Sequence, residues 1–189
     1  MSQSYCIIII LSVLAVVLLV MAVRMHRSTQ QTLSNLDEVK FSNAQFLPQV
    51  VKLINEGHTV TINLKGFSMR PFLENDRDKA LLTKPVHPVV GDPVLAEVSP
   101  GHFILHRIIK IDGDSVTLRG DGNLGIERCR MQDVCGAVVG FYRKGHKKLD
   151  RTDGMKWRIY SFFWTRLYPI RRYLLAAYRR LWIPIFGPL

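Results

Sequence analysis

Three short stretches carry the side chains with reactive chemistry. The first is Gly66-Phe67-Ser68-Met69-Arg70-Pro71, which directly follows the alternating run Val60, Ile62, Leu64. A hydroxyl at a strand end is held rigidly and still faces a cleft. Gly66 lets the backbone approach a substrate closely, and Pro71 stiffens the exit. Turn serines are common, so this stretch alone is ordinarily a plain turn. The second stretch is Leu105-His106-Arg107-Ile108, where Ile104, His106 and Ile108 share one face of a strand. A neutral imidazole titrates near pH ~6.5 and accepts a hydroxyl proton as attack proceeds, although a lone histidine among apolar residues is ordinarily structural. The third is Arg119-Gly120-Asp121-Gly122-Asn123, followed by Glu127. An acid that fixes the imidazole tautomer completes a Ser-His-acid set; by itself Gly-Asp-Gly is a turn.

The elements that must position these groups follow from hydrophobic period. Phe46, Val50, Leu53 and Ile54 recur at helical spacing and stop at Gly57, predicting a short amphipathic helix. From His58 the period changes to two. Strand patterns then run over Lys79–Thr83, Pro93–Val98, His102–Ile111, Val116–Arg119 and Val134–Tyr142. Turn sequences such as Gly91-Asp92-Pro93 and Asp112-Gly113-Asp114 separate them. Short strands at this spacing predict a mainly β, compact antiparallel fold. Cys129 and Cys135 lack metal-ligand spacing; free thiols or a disulfide both fit, and Cys6 lies in an apolar run.

Both ends of the chain differ from its middle. Tyr5–Val23 is nineteen residues without a charge, long enough for a hydrocarbon core of about 30 Å. It reads as a retained single-pass transmembrane helix, with starts at Met21 or Met25 as the soluble alternative. Arg24, His26 and Arg27 follow it, which puts the body on the cytoplasmic side by the positive-inside rule. Of the net charge of +11, +10 lies from Phe141 onward. There Ile170, Leu174, Tyr178 and Leu181 form an apolar stripe, with Arg172 and Arg179 on another face and Arg171 and Arg180 beside it. This predicts a basic amphipathic helical extension that either lies on an anionic membrane or packs on the domain. No nucleic-acid recognition motif accompanies the charge. Four segments result: 1–27 anchor and flank, 28–57 linker and short helix, 58–150 β-domain with the reactive stretches, and 151–189 tail.

Taken in order, Gly-x-Ser-Met-x-Pro, Gly91-Asp92, His106-Arg107 and Gly-Asp-x-Asn closely resemble the type I signal peptidase and LexA-like serine peptidase superfamily, over about Val60 to Tyr142. Bacterial-type members use a Ser-Lys dyad; the archaeal and endoplasmic-reticulum type uses Ser and His with acids, the better match to His106. The resemblance implies Ser68 as nucleophile, His106 as base, Asp121 as orienting acid and Glu127 as a possible second acid. Gly66 stands where some bacterial-type members place an oxyanion-binding Ser, which leaves that task to backbone N–H groups. Signal peptidases expose their catalytic domain outside the cytoplasm, opposite to the side that Arg24, His26 and Arg27 indicate. The extension containing Arg171-Arg172-Tyr173-Leu174 resembles that of small peptidase-like proteins of Bacteroidetes.

The expected activity is peptide-bond cleavage on a substrate bound as an extended strand, with no metal or organic cofactor. A non-catalytic, membrane-docked peptide-binding module and a LexA-like self-cleaving regulator are the alternatives. No helix-turn-helix precedes the β-region to support the latter.

Overall fold

The computed structural model describes residues 43–189, together with Met21. The expected transmembrane run, its basic flank, the linker before Asn43 and Cys6 lie outside the described residues. No helix among the described residues is long and apolar enough to cross a membrane. Residues 43–189 fall in one compact unit.

The first helix, α1, spans Asn43–Asn55. It ends where expected: the N–H of Gly57 bonds the carbonyl of Ile54 and that of His58 bonds Leu53, both at 3.0 Å, the paired bonds of a glycine-terminated helix. The face it buries is rotated from the expected one. Leu47, Val50 and Ile54 are buried, while Phe46 and Leu53 are exposed. The sheet decides this: a Cβ on Gly136 would stand 3.2 Å from Ile54 Cδ1, so the missing side chain makes the seat for α1.

Eight strands follow among the described residues, in one sheet of order β1-β2-β7-β3-β4-β5-β6, with β8 on β7. They are β1 Val60–Asn63, β2 Lys79–Thr83, β3 Pro93–Ser99, β4 His102–Asp112, β5 Ser115–Arg119, β6 Glu127–Arg130, β7 Val134–Tyr142 and β8 Leu149–Arg151. All pairings are antiparallel. β6 and β8 carry no apolar alternation, which is why period did not announce them. Register shifts interrupt four of the ladders; such bulges bend and twist a sheet. Each face thus covers its own core. Leu95, Leu82, Ile62 and Phe141 pack under α1 on one side. Val94, Ala96, Ile108, Val116 and Leu118 form the other.

The segment after β8 contributes to the first core, the packing alternative of the two left open for the extension from residue 151. Helix α2 spans Met155–Arg166. Its Trp157 is buried in the same cluster as Phe141 and Phe72 and meets their rings at 5.0 and 5.1 Å. Beyond it lie a 3-10 turn Tyr168–Ile170, helix α3 Arg171–Ala177, a π-helical turn Tyr178–Trp182 and the short α4 Ile183–Phe186. The expected stripe dissolves: Leu175, Tyr178 and Arg171 are buried, whereas Ile170 and Leu181 are exposed. The 3-10 and π turns change the number of residues per turn, so an even 3.6 period loses phase across them.

Trp157→Ala should therefore lower stability by about 3–5 kcal/mol, the usual cost of emptying a buried indole site, measured by denaturant unfolding. A chain ending at Asp150 should lose its cooperative transition. An unchanged midpoint in either protein would show that α2 is dispensable.

Candidate active site

Ser68 sits in the loop between β1 and β2, and that loop is pinned throughout. At its base the N–H of Leu64 bonds Asp78 O at 2.9 Å and the N–H of Asp76 bonds Leu64 O at 2.8 Å. The N–H of Gly66 donates to Asn75 Oδ1 at 2.6 Å. Arg70 grips Glu74 through Nε and Nη2 at 2.9 and 2.5 Å. Asp78, fully buried, accepts from Arg77 and from the N–H groups of Glu74 and Lys144. Burial opposes its ionisation, but these donors outweigh it and hold its carboxyl below the usual range. Met69, Phe72 and Leu73 plug the loop into the first core. Ser68 is left half-buried beside the exposed Phe67. Among the described residues the N–H of Ser68 has no acceptor.

His106 and Arg107 are neighbours on β4, and successive strand residues point to opposite faces. Each side chain meets a different carboxylate. His106, 3% exposed, lies on the face of Ile108, and its Nδ1 is 3.0 Å from Glu127 Oε2. Register explains the reach: Glu127 pairs with Leu118, and Leu118 with Ile108, so all three share that face. A carboxylate only accepts, so Nδ1 carries the proton and Nε2 is bare. Burial pushes the imidazole below its ordinary value, and the charge and hydrogen bond of Glu127 offset only part of that.

Arg107 faces the first core. Its Nε and Nη2 meet Asp121 Oδ1 and Oδ2 at 2.9 and 2.7 Å, and Nη1 donates to Gly91 O at 2.8 Å and to Ser161 Oγ. Two side chains of α2 complete the cage: Tyr160 OH donates to Asp121 Oδ2 at 2.9 Å, and Trp164 Nε1 to Asp121 O at 2.9 Å. Burial raises the Tyr160 phenol well above its ordinary value, with Asp121 adding to it, so the hydroxyl stays a donor.

The Gly120–Asn123 turn joins the two halves. The N–H of Gly122 donates to Ser68 O at 2.7 Å. A Cβ on Gly122 would stand 2.6 Å from Phe67 O, and one on Gly120 would stand 2.4 Å from Ser68 O and 2.9 Å from His106 Nε2. Both glycines are spacers that let the serine loop approach, and Gly120 is the gap between that loop and the bare imidazole nitrogen. Ser68 Oγ makes no hydrogen bond among the described residues, the imidazole included; such bonds often tighten only around bound substrate.

Of the four residues singled out in the sequence, the structure thus gathers Ser68, His106 and Glu127 around the turn and sets Asp121 beneath it. The acid on the imidazole is Glu127, where the sequence reading placed Asp121. Tyr160 and Trp164 are additions. Their signal was an aromatic spacing of three and four, Trp157, Tyr160, Trp164, hidden inside a stretch read for its charge. Cys129 and Cys135 are both free. Burial pushes the Cys129 thiol up to about 11 and raises that of Cys135, so neither is a thiolate nucleophile at neutral pH. No group of His, Cys, Asp and Glu among the described residues could hold a metal. No protein-family model and no curated protein matches the chain.

By NMR, His106 should titrate below the ordinary imidazole value, and Glu127→Gln should push it lower still by removing the attraction that offsets burial. The sign for stability follows from that depression: the contribution is full above the unfolded value near ~6.5 and is lost as pH falls toward the folded one. Asp121→Asn should lower the titration less than Glu127→Gln does, since the Asp121 charge acts on the imidazole more weakly, but should cost about 3–5 kcal/mol, because it leaves the Arg107 charge buried and unpaired. A larger titration shift from Asp121→Asn than from Glu127→Gln would reverse the two roles.

Proposed function

We propose that this protein is a serine peptidase of the signal peptidase and LexA-like type. The observation that carries the reading is the bare Nε2 of His106, which faces the Ser68 loop across Gly120 while Nδ1 is tied to Glu127. Ser68 Oγ attacks the peptide carbonyl carbon as Nε2 takes its proton. Glu127 holds the tautomer and stabilises the imidazolium that forms. The N–H of Ser68 receives the developing oxyanion. The imidazolium then protonates the leaving amine, and a water activated by the same nitrogen releases the acyl-enzyme. Buried neutral imidazole suits this task, since a base must be unprotonated when attack begins.

The substrate binds as an extended strand. β1 lies at the outer end of the sheet order and runs straight into the Ser68 loop, so a strand laid along it would carry its scissile bond to the serine. The antiparallel sheet, the buried Ser-Met-x-Pro loop and the Gly-Asp-Gly turn packed on it accord with the resemblance in the sequence. The absence of a Ser68–His106 hydrogen bond favours one second reading, a peptide-binding module that does not cut. A self-cleaving regulator uses the same atoms on its own chain.

A serine-reactive phosphonate should label the wild-type chain at Ser68 and fail to label Ser68→Ala or His106→Ala, read by intact mass. Glu127→Gln should slow labelling about 10²–10⁴-fold, in line with loss of the tautomer-fixing acid in other triads. Absence of labelling in folded wild-type protein that still binds peptide would establish the non-cutting module. Fragments in the unlabelled sample would establish self-cleavage.

A further inference from the structure

Helix α2 is apolar on two sides. Trp157, Tyr160 and Trp164 serve the core and the Asp121 cage, whereas Met155, Ile159, Phe162 and Phe163 are exposed, Phe163 by 59%. These four recur at helical spacing and, with Arg158 and with Asp153, whose carboxylate is paired with Arg151 at 2.6 Å, line one open groove. A contiguous bare apolar face of this kind marks an interaction surface. Charge identifies its occupant. After Asp153 the sequence has no carboxylate side chain to its end and seven Lys and Arg. Arg171 alone of the seven is buried; Lys156, Arg158, Arg166, Arg172, Arg179 and Arg180 are exposed. Arg166 lies 3.7 Å over the Phe162 ring, so cation and ring are presented together.

We propose that the outer face of α2 seats on an anionic lipid bilayer. Met155, Ile159, Phe162 and Phe163 enter the acyl boundary, and Arg158 and Arg166 meet headgroup phosphates, the division of labour of an interfacial helix. Leu181, Trp182, Ile185 and Phe186, also exposed and beside Arg179 and Arg180, repeat the same chemistry near the end of the chain. A second copy fits poorly, because face on face would set arginines against arginines. The surface differs from the one expected in the sequence: it belongs to α2, and of the expected stripe Tyr178 is turned inward while Leu174 is half-buried.

The full chain tests this in vesicles of phosphatidylcholine with brominated acyl chains, with and without phosphatidylglycerol. Phe163→Trp places an added indole on the exposed face, and Val86→Trp places one in the still more open β2–β3 loop. The added emission of Phe163→Trp should be quenched severalfold more strongly with phosphatidylglycerol than without it. High salt, or Arg158→Glu with Arg166→Glu, should abolish the difference, and Val86→Trp should show none. Equal quenching of the Phe163→Trp indole in both lipids, or no quenching, overturns the proposal. So does shielding of that indole from aqueous iodide without lipid, since the face is then covered by protein; a concentration-dependent dimer would name a second copy as the cover.

Discussion

The buried pair of Arg107 and Asp121 is the interaction on which the remainder of the site depends. Both side chains are 1% exposed. Taking two charges out of water is expensive, and their attraction returns that cost only when geometry is good and the remaining donors and acceptors are used. Here they are used: Gly91 and Ser161 take the rest of the guanidinium, Tyr160 and Trp164 take the rest of the aspartate. The same atoms tie four parts of the chain together, namely β4, the loop before β3, the Gly-Asp-Gly turn and α2. Rings complete the enclosure, with Trp157 4.7 Å from the guanidinium carbon. The pair stabilises less than its short distances suggest, but it permits a single arrangement.

Strand geometry then divides the labour. A histidine and an arginine side by side on β4 cannot share one carboxylate, because they leave the sheet on opposite faces. The chain supplies two. One is nearly water-free and serves position; the other, on the edge strand β6, is a third exposed and serves the imidazole. The contrast fits their work. A structural charge is best sealed with its partner, whereas under the proposed mechanism an acid that stabilises a transient imidazolium gains from a modest, adjustable field.

How much of this the residues disclosed depends on how local each signal was. The strands with apolar alternation were readable almost to the residue, β7 among them, since period two is a property of the segment itself. β6 and β8 were not, as their pairing is dictated by neighbours in the sheet. Ser68, His106, Asp121 and Glu127 were all identifiable by type and setting, yet which acid serves the imidazole was not. That choice depends on the register running Glu127–Leu118–Ile108, a tertiary fact. The end of the chain misled for the opposite reason: its charge is conspicuous in sequence, and charge obscured the inward aromatics of α2. An even helical period was also drawn through turns that do not keep it.

Order of synthesis gives the α2 contacts a meaning in time. The serine loop, the imidazole and both acids lie before residue 130, and all leave the ribosome well ahead of α2. A nascent chain can pair its strands as they emerge, yet Asp121 then lacks the phenol and the indole that fix it, and Arg107 lacks its aromatic wall. The turn that spaces Ser68 from His106 gains these partners only when α2 is released. A nascent chain stopped short of α2 would hold every reactive group and still lack the side chains that fix Asp121.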